Sequence, residues 1–230
     1  MNICEPSARL VGFTQPVGLE LSELETAQDL IAYCARVSNP SNQMNKETSE
    51  RLIQYLVKHK HWSPLEMASA TVEVTTTRDI ARQFLRHRSF SFQEFSQRYA
   101  DPRDMDDTFI LREARLQDTK NRQNSVELDM TDEYEGGLQD RWVEMQNRVI
   151  RESQLAYNWA LDNGIAKEQA RAVLPEGLTE STMYVNGTIR SWIHYIELRS
   201  ENGTQKEHME IAKEVGRVIS KIFPVIAHED

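Results

Sequence analysis

Ala70-Thr71-Val72-Glu73-Val74-Thr75-Thr76-Thr77-Arg78-Asp79-Ile80-Ala81-Arg82-Gln83-Phe84-Leu85-Arg86-His87-Arg88 changes period halfway along. From Ala70 to Thr77 residues alternate, with Ala70, Val72, Val74 and Thr76 on one side and Thr71, Glu73 and Thr75 on the other, which predicts a strand. Thr77 then suits a helix cap, and Ile80, Ala81, Phe84 and Leu85 fall on one face of a helix running to about Arg88. Gln83 and Arg86, three apart, share a neighbouring face of that helix and reach one ligand together. Ser89-Phe90-Ser91-Phe92-Gln93-Glu94-Phe95-Ser96-Gln97-Arg98-Tyr99 follows as a loop.

The charge of this region runs against that of the chain. The 230 residues carry a formal net charge of -9, yet Arg78 to Arg98 holds Arg78, Arg82, Arg86, Arg88 and Arg98 against Asp79 and Glu94. Basic residues do collect at helix ends, where they meet the negative end of the dipole. Several converging guanidiniums also ask for an anion, since each offers a planar fork matched to phosphate or carboxylate.

Working outward, Ala8 to Phe13 has room for a short strand between Pro6 and Pro16. Ser22 with Glu25 reads as a capping box opening a helix that buries Leu24, Ala27, Leu30, Ile31, Cys34 and Val37 and stops before Asn39-Pro40. A second helix over 46–60 buries Leu52, Ile53, Leu56 and Val57. Ser63-Pro64-Leu65-Glu66 reads as another capped helix start. Residues 101–139 are the least legible stretch: Thr108 to Leu116 suggests a strand in a polar excursion over a pocket or at a subunit contact. A long helix from about Leu138 to Leu161 places Trp142, Met145, Val149, Ala156 and Trp159 on one apolar side and ends at Gly164. A short helix, Ala166 to Leu174, carries Arg171; Thr179 to Val185 suggests a strand; and Thr188 to Arg199 is a helix whose stripe Ile189, Trp192 and Ile196 continues to Arg199. Arg190 and His194 share a different face of it. The last helix, about Gln205 to Phe223, buries Ile211, Ala212, Val215, Val218, Ile219 and Ile222.

Composition narrows the class. A hydrophobic content of 39% with 27% charged residues fits a folded soluble chain, and 230 residues suit one domain spanning 1–230. The acidic balance argues against nucleic-acid binding, which needs an extended basic surface. Cys4 and Cys34 form neither a disulfide framework nor a metal spacing, so no metal is expected. With no signal-like start and no membrane-length apolar run, a cytoplasmic protein without membrane contact is expected. No Walker loop, Gly-x-Ser-x-Gly elbow or dinucleotide fingerprint is present, so arginines, a histidine and a bound cofactor must carry any chemistry.

The order Arg86-His87-Arg88, seven residues, then Ser96, continuing through Arg98 and Tyr99, resembles the signature of flavin-dependent thymidylate synthases. Ala35 to Ser38, His61 to Glu66, Ala170 to Pro175 and Thr188 to Glu207 look like further blocks of the same family. The resemblance implies an α+β fold with a central, mainly antiparallel sheet flanked by helices, in a homotetramer with active sites shared between subunits. It implies reductive methylation of deoxyuridylate (dUMP) to deoxythymidylate, with methylenetetrahydrofolate as carbon donor and NADPH as reductant through FAD. By resemblance, Gln83, Arg86, Glu94, Ser96, Gln97, Arg98, Arg171 and Arg199 bind dUMP, and Arg199 is the catalytic group that promotes ionisation of the uracil ring. Ser38, Ser63, Arg86, His87, Arg88, Glu94, Thr188, Arg190 and His194 form the flavin set. The chain departs from the family at Gln93, Gln97, Thr188, His194 and Gly203. Two rivals stand beside this reading: a related pyrimidine nucleotide such as a deoxycytidylate as substrate, and a nucleotide-binding module without flavin.

Overall fold

A computed structural model describes residues 7–18, 23–100 and 109–224. Its centre is a four-stranded antiparallel sheet in the order β1-β2-β6-β3, made by Ser7–Phe13 (β1), Ser69–Thr77 (β2), Ser91–Glu94 (β3) and Glu180–Thr188 (β6). The helices around it are Ala27–Ala35 (α1), Ser49–Lys58 (α2), Arg78–Phe84 (α3), Glu133–Asp162 (α4), Lys167–Ala170 (α5), Ile189–Ser200 (α6) and Lys206–Ser220 (α7). Arg115–Gln117 (β4) and Ser125–Glu127 (β5) form a separate hairpin. The fold is therefore α+β with an antiparallel sheet and flanking helices, as expected.

Alternation decides the faces of the sheet. Ala70, Val72, Val74 and Thr76 of β2 are buried, and so are Ser181, Met183, Val185 and Gly187 of β6, with Val72 opposite Val185 and Val74 opposite Met183. The other face is polar, carrying the Arg9–Glu73 pair at 2.8 Å and the Asn186 Nδ2 bond to Thr71 Oγ1 at 2.7 Å. A half-solvated antiparallel sheet requires this pattern. α3, α6 and α7 close the apolar face around Phe84, Trp192, Tyr195, Ile196, Ile211, Val215 and Phe223.

β2 and β6 are nine residues each, antiparallel, and each runs directly into a helix, at Thr77/Arg78 and at Thr188/Ile189. The period change in the sequence is this junction. Because the strands are antiparallel, α3 and α6 leave from opposite ends of the central pair.

Several local expectations are corrected. The cap of α1 is Thr26, in a box with Asp29, while Ser22 lies outside the described residues. Thr26 wins because its Oγ1 accepts from the Asp29 N–H at 3.1 Å while Asp29 reaches back to the Thr26 N–H, satisfying two orphan donors. Ser63–Glu66 is a single 3-10 turn with no side-chain cap, so Ser63 and Glu66 are not a capping box. Glu66 instead pairs with Arg190. The strand expected over Thr108 to Leu116 reduces, among the described residues, to a bridge between Phe109 and Thr179 and to β4.

The largest correction concerns α4. It begins at Glu133 behind the Asp132 cap, and its inward face is Gln146, Ile150, Ser153, Tyr157 and Ala160. Trp142, Met145, Val149 and Trp159, which the sequence places on one apolar side, are all exposed, Trp159 by 63%. With Tyr134 they are spaced by sums of three and four residues and form an outward apolar stripe.

Candidate active site

α3 and the turn after it carry the signature, and three later segments fold onto them. The first contact comes from α6. Arg199, at its last turn, donates from Nε to His87 Nε2 at 3.0 Å, and Ser191, near its start, donates to the Ser89 carbonyl at 3.4 Å. The turn thus spans the length of α6. Phe90 anchors it by packing on Trp192, with ring centroids 4.5 Å apart, and against Gly187, where any Cβ would overlap the Phe90 ring.

Accepting a bond from a guanidinium requires an unprotonated nitrogen. Burial, then the charges of Arg199 and Arg86, push the His87 pKa down to about 4, so His87 is neutral at pH 7. Arg199 therefore leans on a neutral imidazole, and among the described residues no carboxylate forms an ion pair with it. Its charge remains available to an anion.

The second contact comes from 167–176. Arg98 Nη2 lies 3.4 Å from Glu168 Oε2, and Lys167 Nζ lies 3.5 Å from the Tyr99 carbonyl, so the end of the signature loop sits on α5. Arg171 follows in the 3-10 turn Arg171–Val173. Burial lowers the Arg78 pKa against the pull of Glu94, and the nearby charges of Arg82 and Arg171 press in the same downward direction. Glu94, on β3, accepts from Ser181 Oγ at 3.0 Å and pairs with Arg78 at 3.5 Å and Arg82 at 3.3 Å. Arg82 also pairs with Glu176 at 3.4 Å. Arg78, Arg82, Arg98 and Arg171 thus form a cationic corner held in shape by acids. Ser96 Oγ accepts from the Arg98 N–H at 3.4 Å, and Gln97 is buried, its Nε2 without a hydrogen-bond partner among the described residues.

The third contact comes from the start of α7. Gln83 Nε2 donates to Gln205 Oε1 at 2.8 Å, and His208 Nδ1 lies 3.3 Å from Gln83 Oε1. His208 and Tyr195 are fully buried and pack with Phe84 and His87 as an aromatic floor beneath Arg199.

The expected flavin residues gather at the other end of α6. Thr188 caps the helix by accepting from the Ser191 N–H at 3.2 Å. Arg190 pairs with Glu66 of the Ser63–Glu66 turn, and His194 packs edge-on against Trp62 with centroids 4.5 Å apart. The Ser191–Ser89 contact brings Arg88 beside this group, while α1 packs on the Ser63–Glu66 turn with Ser38 exposed just beyond it. Exposed Arg88, half-buried Arg190 and the α6 N-terminus are donors suited to a diphosphate, and the perpendicular rings of Trp62 and His194 stand beside them. These residues fit a flavin dinucleotide.

Of the expected residues, Gln83, His87, Glu94, Ser96, Arg98, Arg171 and Arg199 lie along α3, the signature loop and the segments packed on them, Thr188, Arg190 and His194 lie at the start of α6, and among the described residues no hydrogen bond or ion pair ties the Ser38 or Arg86 side chain to either set. The expectation missed Gln205, His208, Tyr195, Trp62 and Glu176. Tyr195 was within reach, four residues before Arg199 on one helix face. Gln205 and His208 touch Gln83 across more than a hundred residues of chain, and no local pattern reports that.

Gly203, where the resemblance led to a histidine, has φ of +96°. A side chain is rarely tolerated there, so the glycine follows from the turn joining α6 to α7.

The chain is 49% identical to a probable flavin-dependent thymidylate synthase of Paramecium bursaria Chlorella virus 1, over 96% of this chain and 97% of that protein. It is 44% identical to a flavin-dependent thymidylate synthase of Synechocystis sp., over 95% and 96% of the two chains. A UMP/dUMP methylase, PolB of Streptomyces cacaoi, solved with 5-Br dUMP, superposes with a TM-score of 0.78 over 98% of this chain and 95% of its own, and at 24% identity this likeness concerns the fold alone. The family model described as thymidylate synthase complementing protein matches residues 20–225. With that match and these relatives, the chain belongs to the thymidylate synthase complementing protein family, the flavin-dependent thymidylate synthases.

Proposed function

We propose that the chain catalyses reductive methylation of dUMP at uracil C5, with methylenetetrahydrofolate as carbon donor and NADPH as reductant, giving deoxythymidylate and tetrahydrofolate. The carbon arrives as a methylene and leaves as a methyl, so two electrons must be supplied. FAD, when bound, relays them from NADPH. The observation that carries this reading is the placing of Arg199 against His87 of the Arg86-His87-Arg88 run.

The chain's own residues bind, orient and polarise. Arg98 and Arg171 grip the nucleotide phosphate, with Ser96 and Gln97 lining the same loop and Gln83, Arg86 and Glu94 on α3, the turn and β3. Uracil C5 attacks an electrophile only when negative charge on the ring is stabilised. The Arg199 guanidinium, fixed by His87 over a floor that excludes water, supplies that stabilisation. Ser38, Ser63, Arg86, His87, Arg88, Glu94, Thr188, Arg190 and His194 would hold the flavin, with Thr188, Arg190 and His194 supplied by the start of α6. Among the described residues no base orients Ser96, which acts as a binding hydroxyl.

The enzyme works in the cytoplasm as a homotetramer whose subunits complete one another's sites. The outward stripe of α4 supports this, since an aligned row of Trp142, Met145, Val149 and Trp159 is unfavourable in water. A monomeric mass in solution would refute it.

The test is direct. The purified protein takes up FAD, turns yellow, bleaches with NADPH and converts dUMP with methylenetetrahydrofolate to deoxythymidylate. Deoxycytidylate and uridylate run in parallel identify a different nucleotide, and a colourless protein unable to take up FAD overturns the enzyme reading.

A further inference from the structure

The chain of contacts from Glu207 to His208 has a direction. Glu207 is 6% exposed and receives Arg115 Nη2 at 2.7 Å on Oε1 and Arg112 Nη1 at 3.3 Å on Oε2. Burial alone would raise its pKa, but Arg112, its own backbone N–H and Arg115 outweigh burial and leave it lowered. Glu207 is therefore an ionised carboxylate, which only accepts.

That fixes its neighbour. Gln205 must turn its NH2 to Glu207, Nε2 lying 3.0 Å from Oε2, so its carbonyl Oε1 faces Gln83. Gln83 must then present its own NH2 to Gln205, at 2.8 Å, which leaves its Oε1 toward His208 Nδ1 at 3.3 Å. To meet a carbonyl, His208 carries its proton on Nδ1. A side-chain amide whose two ends look nearly alike is given one orientation by a carboxylate two links away.

His208 is a rigid terminus for this chain. It is wholly buried and packs between Phe84, at 5.8 Å, and Tyr195, at 5.7 Å between centroids. Burial, then Arg199 and His87, hold its pKa down to about 3, so it stays neutral over the working pH range. Gln205 gives Nε2 to Glu207 and Oε1 to Gln83, and His208 turns Nδ1 to Gln83, while His208 Nε2 is buried with no hydrogen-bond partner among the described residues.

We propose that Gln205 and His208 are positioning residues that lock the Gln83 amide, and so set how tightly and how selectively the site holds a pyrimidine nucleotide. Uracil and cytosine exchange donor and acceptor along one edge, so an amide fixed in one orientation favours one of them, whereas an amide free to flip serves both. The inference rests on the reading of Gln83 as a nucleotide-binding residue.

The experiment measures binding of dUMP and of deoxycytidylate to the FAD-loaded protein by calorimetry, with kcat and KM for dUMP. Gln205→Met and His208→Leu are expected to weaken dUMP binding and raise KM about five- to tenfold, as loss of one hydrogen bond does, with kcat within about twofold in Gln205→Met. The preference for dUMP over deoxycytidylate narrows in the same variants. His208→Asn, which keeps a donor near the Nδ1 position, restores binding. In a Gln83→Met background, Gln205→Met adds no further loss, whereas damage through general misfolding would add to it. Should His208→Leu fail to fold, Gln205→Met at the half-buried helix start carries the same measurement. Unchanged binding and selectivity in Gln205→Met, or additive losses in the double variant, would overturn the proposal. Wild-type protein that takes up FAD but binds no dUMP would overturn the reading of Gln83 along with it.

Discussion

α4 and α6 are both amphipathic, and each shows an apolar stripe in the sequence, yet the structure uses the two stripes in opposite ways. Ile189, Trp192 and Ile196 of α6 are at most 1% exposed and build the floor that ends at Arg199. Trp142, Met145, Val149 and Trp159 of α4 face outward, and a less apolar face with Gln146, Ser153 and Tyr157 turns inward. Gln146 explains the choice: its Oε1 accepts from the Arg112 N–H and its Nε2 donates to the Arg112 carbonyl, both at 2.8 Å, so α4 is pinned to an irregular segment whose backbone needed partners. Periodicity shows that a helix has an apolar face. Which surface covers that face depends on what else must be satisfied.

The sharpest way to break this contrast is paired truncation. Trp192→Ala is expected to cost about 3–5 kcal/mol in urea unfolding, as an emptied core site does, whereas Trp159→Ala should change the stability of a single subunit by less than about 1 kcal/mol. Equal losses would show that both stripes are core. Next in size is Arg199→Ala, which should lower kcat by about two to three orders of magnitude while leaving FAD uptake intact. Near-normal turnover would remove Arg199 from the chemistry and reduce α6 to a scaffold. Gly187→Ala sets a Cβ against the Phe90 ring and should cost about 1–3 kcal/mol, with a shifted signature turn and weakened FAD retention. Val149→Lys should leave subunit stability within about 0.5 kcal/mol and lower the mass seen by light scattering. An unchanged mass would mean that the α4 stripe is not a subunit contact.

Acid provides a subtler separation. His87 and His208 have folded pKa values of about 4 and about 3, below the ordinary value of 6.5, so the unfolded chain binds more protons than the folded one between those limits. Stability is unaffected above pH 6.5 and falls as the pH drops from 6.5 toward 4. His208→Asn should flatten that fall in a series of thermal melts, and a series unchanged by the substitution would place the acid sensitivity elsewhere.

Legibility follows the range of the interactions. The β2–α3 junction was readable because the period changes from two to 3.6 at Thr77, and both periods are properties of neighbouring residues. The same holds for β6 running into α6, for the stripe on α7 and for the stop at Gly164, with φ of +77°. Near misses came where two local solutions compete, as with Thr26 and Asp29 capping α1 where Ser22 and Glu25 offered the same chemistry. Glu66 escaped its expected cap because Arg190, more than a hundred residues onward, claimed it.

Arg86-His87-Arg88, Glu94, Ser96 and Arg98 stand within one stretch, so sequence alone determined that a cation-rich turn follows a strand and helix and that it seeks an anion. Tertiary structure decided what that turn touches. Arg199 on His87, Arg98 on Glu168, Gln83 on Gln205 and His208, and the outward side of α4 all join segments far apart in the chain. The physical reason is that burial and hydrogen-bond satisfaction are settled over the whole core at once, while a sequence pattern reports only the neighbours within a turn or two.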